Sequence, residues 1–102
     1  MAELDKLSLE DFTGHVGESF RMVADAPEPM ALELRLSEAV SLGNPPRPDI
    51  RAPFSLVFEG PVDRIMPQGI YRLEHEQLTP LELFVVPLAP ENGNARYQAI
   101  FS

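Results

Sequence analysis

The chain has 102 residues, no cysteine, 44% apolar residues and a formal net charge of −8. That length makes one domain around one modest core, and so apolar a composition excludes a disordered chain. Without cysteine there is neither a disulfide nor a thiolate metal site, as a reducing compartment would allow. Seven arginines and one lysine against sixteen acids argue against a nucleic-acid partner, because duplex phosphates repel a surface of that sign. The opening residues MAELDKLSLEDF carry acids where a signal peptide needs a basic region. No stretch approaches the roughly 20 apolar residues of a membrane-spanning helix. A soluble cytoplasmic protein with no membrane partner is expected.

Only the first segment has helical spacing. Ser8 can cap, Asp11 follows three residues later, and Leu9, Phe12 and Val16 recur on one face. A short helix over about 8–13 is predicted, stopped by Gly14 and Gly17. The period then changes to two. Phe20, Met22 and Ala24 share a face in a strand over 18–24, and Met30, Leu32, Leu34 and Leu36 share one in a strand over 30–42. A five-residue turn sets Ala24 opposite Met30, Met22 opposite Leu32 and Phe20 opposite Leu34, all on one side. Glu38 breaks the apolar face, so a bulge is expected near Ser37 and Glu38.

The proline-rich stretch GNPPRPDIRAP reads as a stiff, extended crossover between two parts of the fold. It carries the one basic feature, Arg47 and Arg51, which are the candidate interaction residues. Strands are predicted over 54–59, 70–76, 81–88 and 95–101. Asn92-Gly93 is the strongest hairpin signal in the chain. A two-residue turn there pairs Leu88 with Tyr97, Val86 with Ala99 and Phe84 with Phe101. Six strands with hairpin spacing make an all-β fold, a small antiparallel sandwich or barrel with a short N-terminal helix.

Chemistry is sparse. The triplet Glu74-His75-Glu76 is not a cluster, since strand neighbours point to opposite faces. His75 shares the core face with Tyr71 and Leu73. A four-residue turn over QLTP would set His75 opposite Glu82, the one candidate catalytic pair, in which a carboxylate orients an imidazole. The same pair is also an ordinary way to end a buried face. His15 and His75 lie far apart in sequence, and no spacing predicts that they converge on a metal. The serines lack a nucleophile motif, GHVGES lacks the lysine and helix of a phosphate loop, and no calcium loop is present. Neither a cofactor nor a metal is expected.

The segments APFSLVFEGP (52–61), PQGIYRLEHEQL (67–78), LELFVVPLAP (81–90) and RYQAIF (96–101), with a weaker LSLEDFTGHVGESF (7–20), resemble an uncharacterised bacterial family of small domains of unknown function. The resemblance implies a loose association with phage-tail-collar-like genes, and so an accessory role. It supplies no catalytic residues. Taken together, the residues suggest a non-enzymatic accessory or interaction domain with a protein partner or a second copy of itself. An apolar-ligand barrel and a hydrolase or isomerase using His75 and Glu82 are the alternatives.

Overall fold

In a computed structural model, which describes residues 8–24, 29–44, 47, 52–63 and 65–101, six antiparallel strands close into a barrel in the order β1-β2-β3-β6-β5-β4. The elements are α1 (Glu10–Thr13), β1 (Ser19–Ala24), β2 (Met30–Ser41), β3 (Phe54–Pro61), β4 (Gly69–His75), β5 (Leu78–Glu91) and β6 (Asn94–Phe101). Closure pairs both edges of the sheet, which settles the choice between sandwich and barrel. The topology is two three-stranded meanders, β1-β2-β3 and β4-β5-β6, joined along the β3–β6 and β1–β4 seams.

The first hairpin has the expected register, with Phe20 opposite Leu34, Met22 opposite Leu32 and Ala24 opposite Met30. All six side chains can then face inward together. The bulge in β2 falls between Leu36 and Glu38, where Ser37 Oγ donates to Val57 O at 3.0 Å. The extra residue returns Val40 to the outside, 45% exposed. Residues 43–53 are not a crossover. They join the neighbouring strands β2 and β3, and Leu42 N–H donates to Pro53 O at 2.9 Å across their base. The segment that crosses the barrel is instead the one between β3 and β4, around residues 62–68. Two tyrosines hold it. Tyr97 Oη accepts from Met66 N–H at 3.0 Å, and Tyr71 Oη donates to Pro67 O at 2.6 Å.

The inward face of β5 is Leu81, Leu83 and Val85, all buried, while Phe84 is 54% exposed. This reverses the face expected from Phe84, Val86 and Leu88, for two reasons. The β4–β5 turn has two residues, Glu76 and Gln77, which pairs His75 with Leu78, and an extra residue in β5 between Leu78 and Leu81 then sets Leu73 opposite Leu81 and Tyr71 opposite Leu83. At the other end of β5, a register shift between Leu88 and Glu91 puts Leu88 opposite Arg96 instead of Tyr97. That shift spans Ala89 and Pro90, and a proline cannot donate to a ladder. One extra residue inverts the parity of the strand.

Large side chains fill the interior. Phe54 stacks on Phe101 with ring centroids 4.4 Å apart. Phe12 of α1 plugs that end of the barrel, 5.8 Å from Phe54 and 5.6 Å from Phe101. The helix is one turn, and Val16 lies beyond it, 45% exposed instead of packed. Asp11 accepts from Ser8 N–H at 2.8 Å, the reverse half of the capping pattern. Tyr97, Phe58, Leu56 and Leu36 fill the middle with essentially no exposure.

Two outcomes follow from this geometry. Asn92 and Gly93 both have positive φ, 54° and 79°, as a primed hairpin turn requires. Gly93→Val forces a β-branched residue into that region and is expected to lower stability by about 1–3 kcal/mol in urea unfolding. An unchanged midpoint would mean that the turn relaxes freely. Burial, and then the nearness of Tyr97, pushes the Tyr71 phenol above its ordinary value. Its contribution to stability is therefore intact below about pH 10, the unfolded value, and is lost as pH rises through the higher folded one. Tyr71→Phe should cost about 1 kcal/mol at neutral pH and make the alkaline loss of stability shallower.

Candidate functional site

The His75–Glu82 pair does not form. Glu82 lies opposite Arg72 on the outside of β4–β5, because the two-residue turn and the extra residue in β5 between Leu78 and Leu81 shift the register. His75 does share the core side with Tyr71 and Leu73, as its position in the strand requires. Its side chain is 4% exposed and its ring lies 4.7 Å from that of Phe20. Glu74 turns outward to Arg72 Nε at 3.0 Å.

The carboxylate that His75 meets is Glu18, 57 residues earlier. Three features of the local sequence put it there. Thr13 ends α1, Gly17 has a positive φ of 93°, and the chain turns back with Glu18 N–H donating to His15 O at 3.0 Å. Gly17 N–H donates to Leu36 O at 2.7 Å and Leu36 N–H donates to Glu18 O at 3.0 Å. The turn is thereby stitched to β2 immediately before β1 begins. Glu18 then projects towards the end of β4, with His15 beside it. The two imidazole rings are 4.8 Å apart, edge to face. The chain has only these two histidines, and the fold brings them together. Sequence spacing carries no sign of this, since it depends on β1 closing the barrel against β4.

The protons can be assigned from the hydrogen bonds. Gln77 N–H donates to His75 Nδ1 at 3.0 Å, so the proton of the neutral ring sits on Nε2. From there it is donated to Glu18 Oε1 at 2.7 Å. The same oxygen accepts from His15 Nδ1–H at 2.8 Å, which leaves His15 Nε2 with its lone pair. One carboxylate oxygen thus orients two rings. The hydrogen bond from His15, then that from His75, holds the Glu18 carboxyl below the usual carboxylate value against a smaller opposing effect of desolvation. His15 Nδ1, His75 Nε2 and a Glu18 oxygen all lie within 4.8 Å of one another. Beside them runs an open groove of about 890 Å³, lined in part by Glu18, Phe20, Arg21, Glu33, Glu74 and Glu76.

The other candidates are less informative. Arg47 is exposed, and Arg51 lies outside the described residues. No helix among the described residues is long and apolar enough to cross a membrane. On the outside of the barrel the large exposed apolar residues include Ile70 (69%), Phe84 (54%) and Ile100 (60%). Ile70 is paired with Phe84 across β4–β5. The β5–β6 register, carried two residues beyond Val86↔Gln98, sets Phe84 level with Ile100. Three adjacent strands therefore present one apolar stripe.

Residues 7–101 match a family model described as a domain of unknown function, DUF6916. The chain belongs to that family. No curated protein and no solved structure matches it.

The Glu18 bridge has measurable consequences. With its carboxyl lowered in the fold, its contribution to stability is present above the ordinary carboxylate value and lost as pH falls through the lower folded one. Glu18→Gln should reduce stability at neutral pH and remove that part of the acid dependence. Parallel acid profiles for wild type and variant would show that the bridge contributes nothing. His75→Gln should cost about 1 kcal/mol. Glu18→Gln should shift the ring nitrogen resonances of His75 in NMR spectra, whereas Glu82→Gln should leave them in place.

Proposed function

We propose that this barrel is a non-enzymatic interaction domain that docks a protein partner, as a subunit of a larger assembly of phage-tail-like type. The observation that carries the reading is the stripe of Ile70, Phe84 and Ile100. Each of these residues would be more stable covered: burying one fully contributes roughly 1.5–3 kcal/mol. A contiguous exposed patch of this kind is a feature of binding surfaces, and an aromatic flanked by branched aliphatics suits a central anchor. Closure of the barrel directs association to this face, since pairing through an open sheet edge is not available. The phage-tail setting rests on the resemblance of the four strand segments alone.

The two alternatives have less support. A carrier of apolar ligands needs a hollow interior, and here Phe12, Phe54, Phe58, Tyr97 and Phe101 occupy it. Catalysis by His75 with Glu82 needs a contact that the β4–β5 register does not make.

Charge placed at the centre of the stripe tests the reading. Phe84→Glu is expected to leave the melting temperature close to that of wild type, because the side chain is already half exposed and surface changes cost little. It should abolish the assembly seen for wild type by light scattering, or release the partner retained from the native host. A wild type that is strictly monomeric and retains the same proteins as Phe84→Glu would overturn the proposal.

A further inference from the structure

We infer that His15, Glu18 and His75 form a binding site for one divalent transition-metal ion of the Zn²⁺, Co²⁺ or Ni²⁺ class. The inference is independent of the interaction role and concerns a different part of the molecule, the turn between α1 and β1 beside the end of β4. Two imidazole nitrogens and a carboxylate oxygen form a donor set that favours borderline cations over Ca²⁺ or Mg²⁺, which require oxygen ligands. The three donor atoms already lie within 4.8 Å of one another. Around a tetrahedral ion with bonds near 2.05 Å, donors stand about 3.3 Å apart. Glu18 Oε1, now 2.8 Å from His15 Nδ1 and 2.7 Å from His75 Nε2, would retreat by roughly half an ångström. The rings would converge by no more than about 1.5 Å. Glu18 is free to make its share of this adjustment, with a side chain 44% exposed, whereas His75 at 4% is fixed against Phe20. One rigid ligand and two on a surface turn make a site that can close around an ion.

Proton positions must change for this to occur, and the balance is closed. His75 moves its proton from Nε2 to Nδ1, and His15 moves its own from Nδ1 to Nε2. With Glu18 ionised and both rings neutral, the ion binds with no net release of protons. The cost falls on one contact. Gln77 N–H now donates to His75 Nδ1, and once that nitrogen carries a proton the two donors oppose each other. Gln77 is exposed, so its N–H can turn to water. Loss of one such bond weakens binding about fivefold. That is small beside the contribution of a third protein ligand. Three protein donors leave one position for water, the pattern of an open metal site.

The experiment uses the full chain without an affinity tag. Zn²⁺ titrated by calorimetry should bind with one-to-one stoichiometry, and Co²⁺ should give a visible d–d band. His15→Ala, Glu18→Gln and His75→Gln should each weaken binding by at least the roughly 10- to 100-fold that even outer-shell partners cost. Glu74→Gln and Glu82→Gln should not, and neither Ca²⁺ nor Mg²⁺ should compete. Zn²⁺ should also raise the melting temperature of wild type by mass action, and this rise should vanish in His15→Ala. Because His75→Gln alters a buried packing position, His15→Ala decides the matter if that variant folds poorly. The amide resonance of Gln77 gives a separate signature and should move when metal is added. Absence of binding at millimolar Zn²⁺ would overturn the inference, as would equal affinity in His15→Ala. Binding that leaves the Gln77 amide unmoved would exclude His75 as a ligand and overturn the three-residue site.

Discussion

The β1–β4 seam decides whether this sheet is a barrel. The opposite seam is long, running from Phe54↔Phe101 to Pro61↔Asn94 along the whole of β3 and β6. The closing seam has only Arg21↔Glu74, Met22↔Leu73 and Val23↔Arg72. The ladder ends at Glu74, and Glu18 takes over. Its carboxylate bridges to His75 at the point where backbone pairing stops, while its own backbone is bonded to β2. Side-chain hydrogen bonds thus extend a closure that the main chain leaves short. A partly buried polar bridge of this kind is stable only when every member is satisfied, and no buried side-chain polar atom among the described residues lacks a partner.

Closure determines the rest of the packing. A six-stranded barrel has little internal space, so each inward position must suit its neighbours. Large rings fill the helix-plugged end, where Phe12, Phe54 and Phe101 meet. On β3, Gly60 lies against Leu34 of β2, and a Cβ there would overlap Leu34 Cδ2. At the far end the crossing segment brings Met66 in as the stopper, 7% exposed. Two backbone groups of that segment, Met66 N–H and Pro67 O, are met by tyrosine hydroxyls, which is how a loop can lie against a core without leaving its backbone unpaired.

Legibility in the sequence tracked the strength of the local constraint. The β1–β2 register was readable because only one alignment keeps Phe20, Met22, Leu32 and Leu34 on one face, and the Asn92-Gly93 turn because its conformation nearly dictates those residues. The β4–β5 register is not legible because β5 is apolar on both faces: Leu81, Leu83 and Val85 compete with Phe84, Val86 and Leu88, so alternation gives no choice. Glu76-Gln77 has none of the chemistry of a two-residue turn, and extra residues at both ends of β5, over Thr79-Pro80 and Ala89-Pro90, conceal the parity change. The histidine pair could not be read at all. It is a product of closure between the first strand and the fourth, a contact that no local pattern encodes.

The two-meander topology has a consequence for how the chain reaches this state. Each meander is built from hairpins between consecutive strands, which form by closing short loops. The β1–β4 and β3–β6 seams require contacts across much of the sequence and carry the larger loop-closure entropy. Hairpin contacts within each meander are therefore the cheaper to close, and the two seams the costlier. The short seam, with the fewest ladder bonds to hold it, is the natural place for the native barrel to breathe. Amide hydrogens of Val23 and Arg72, which face each other across that seam, would then exchange through brief opening of the wall, while those of Leu56 and Ala99 await global unfolding.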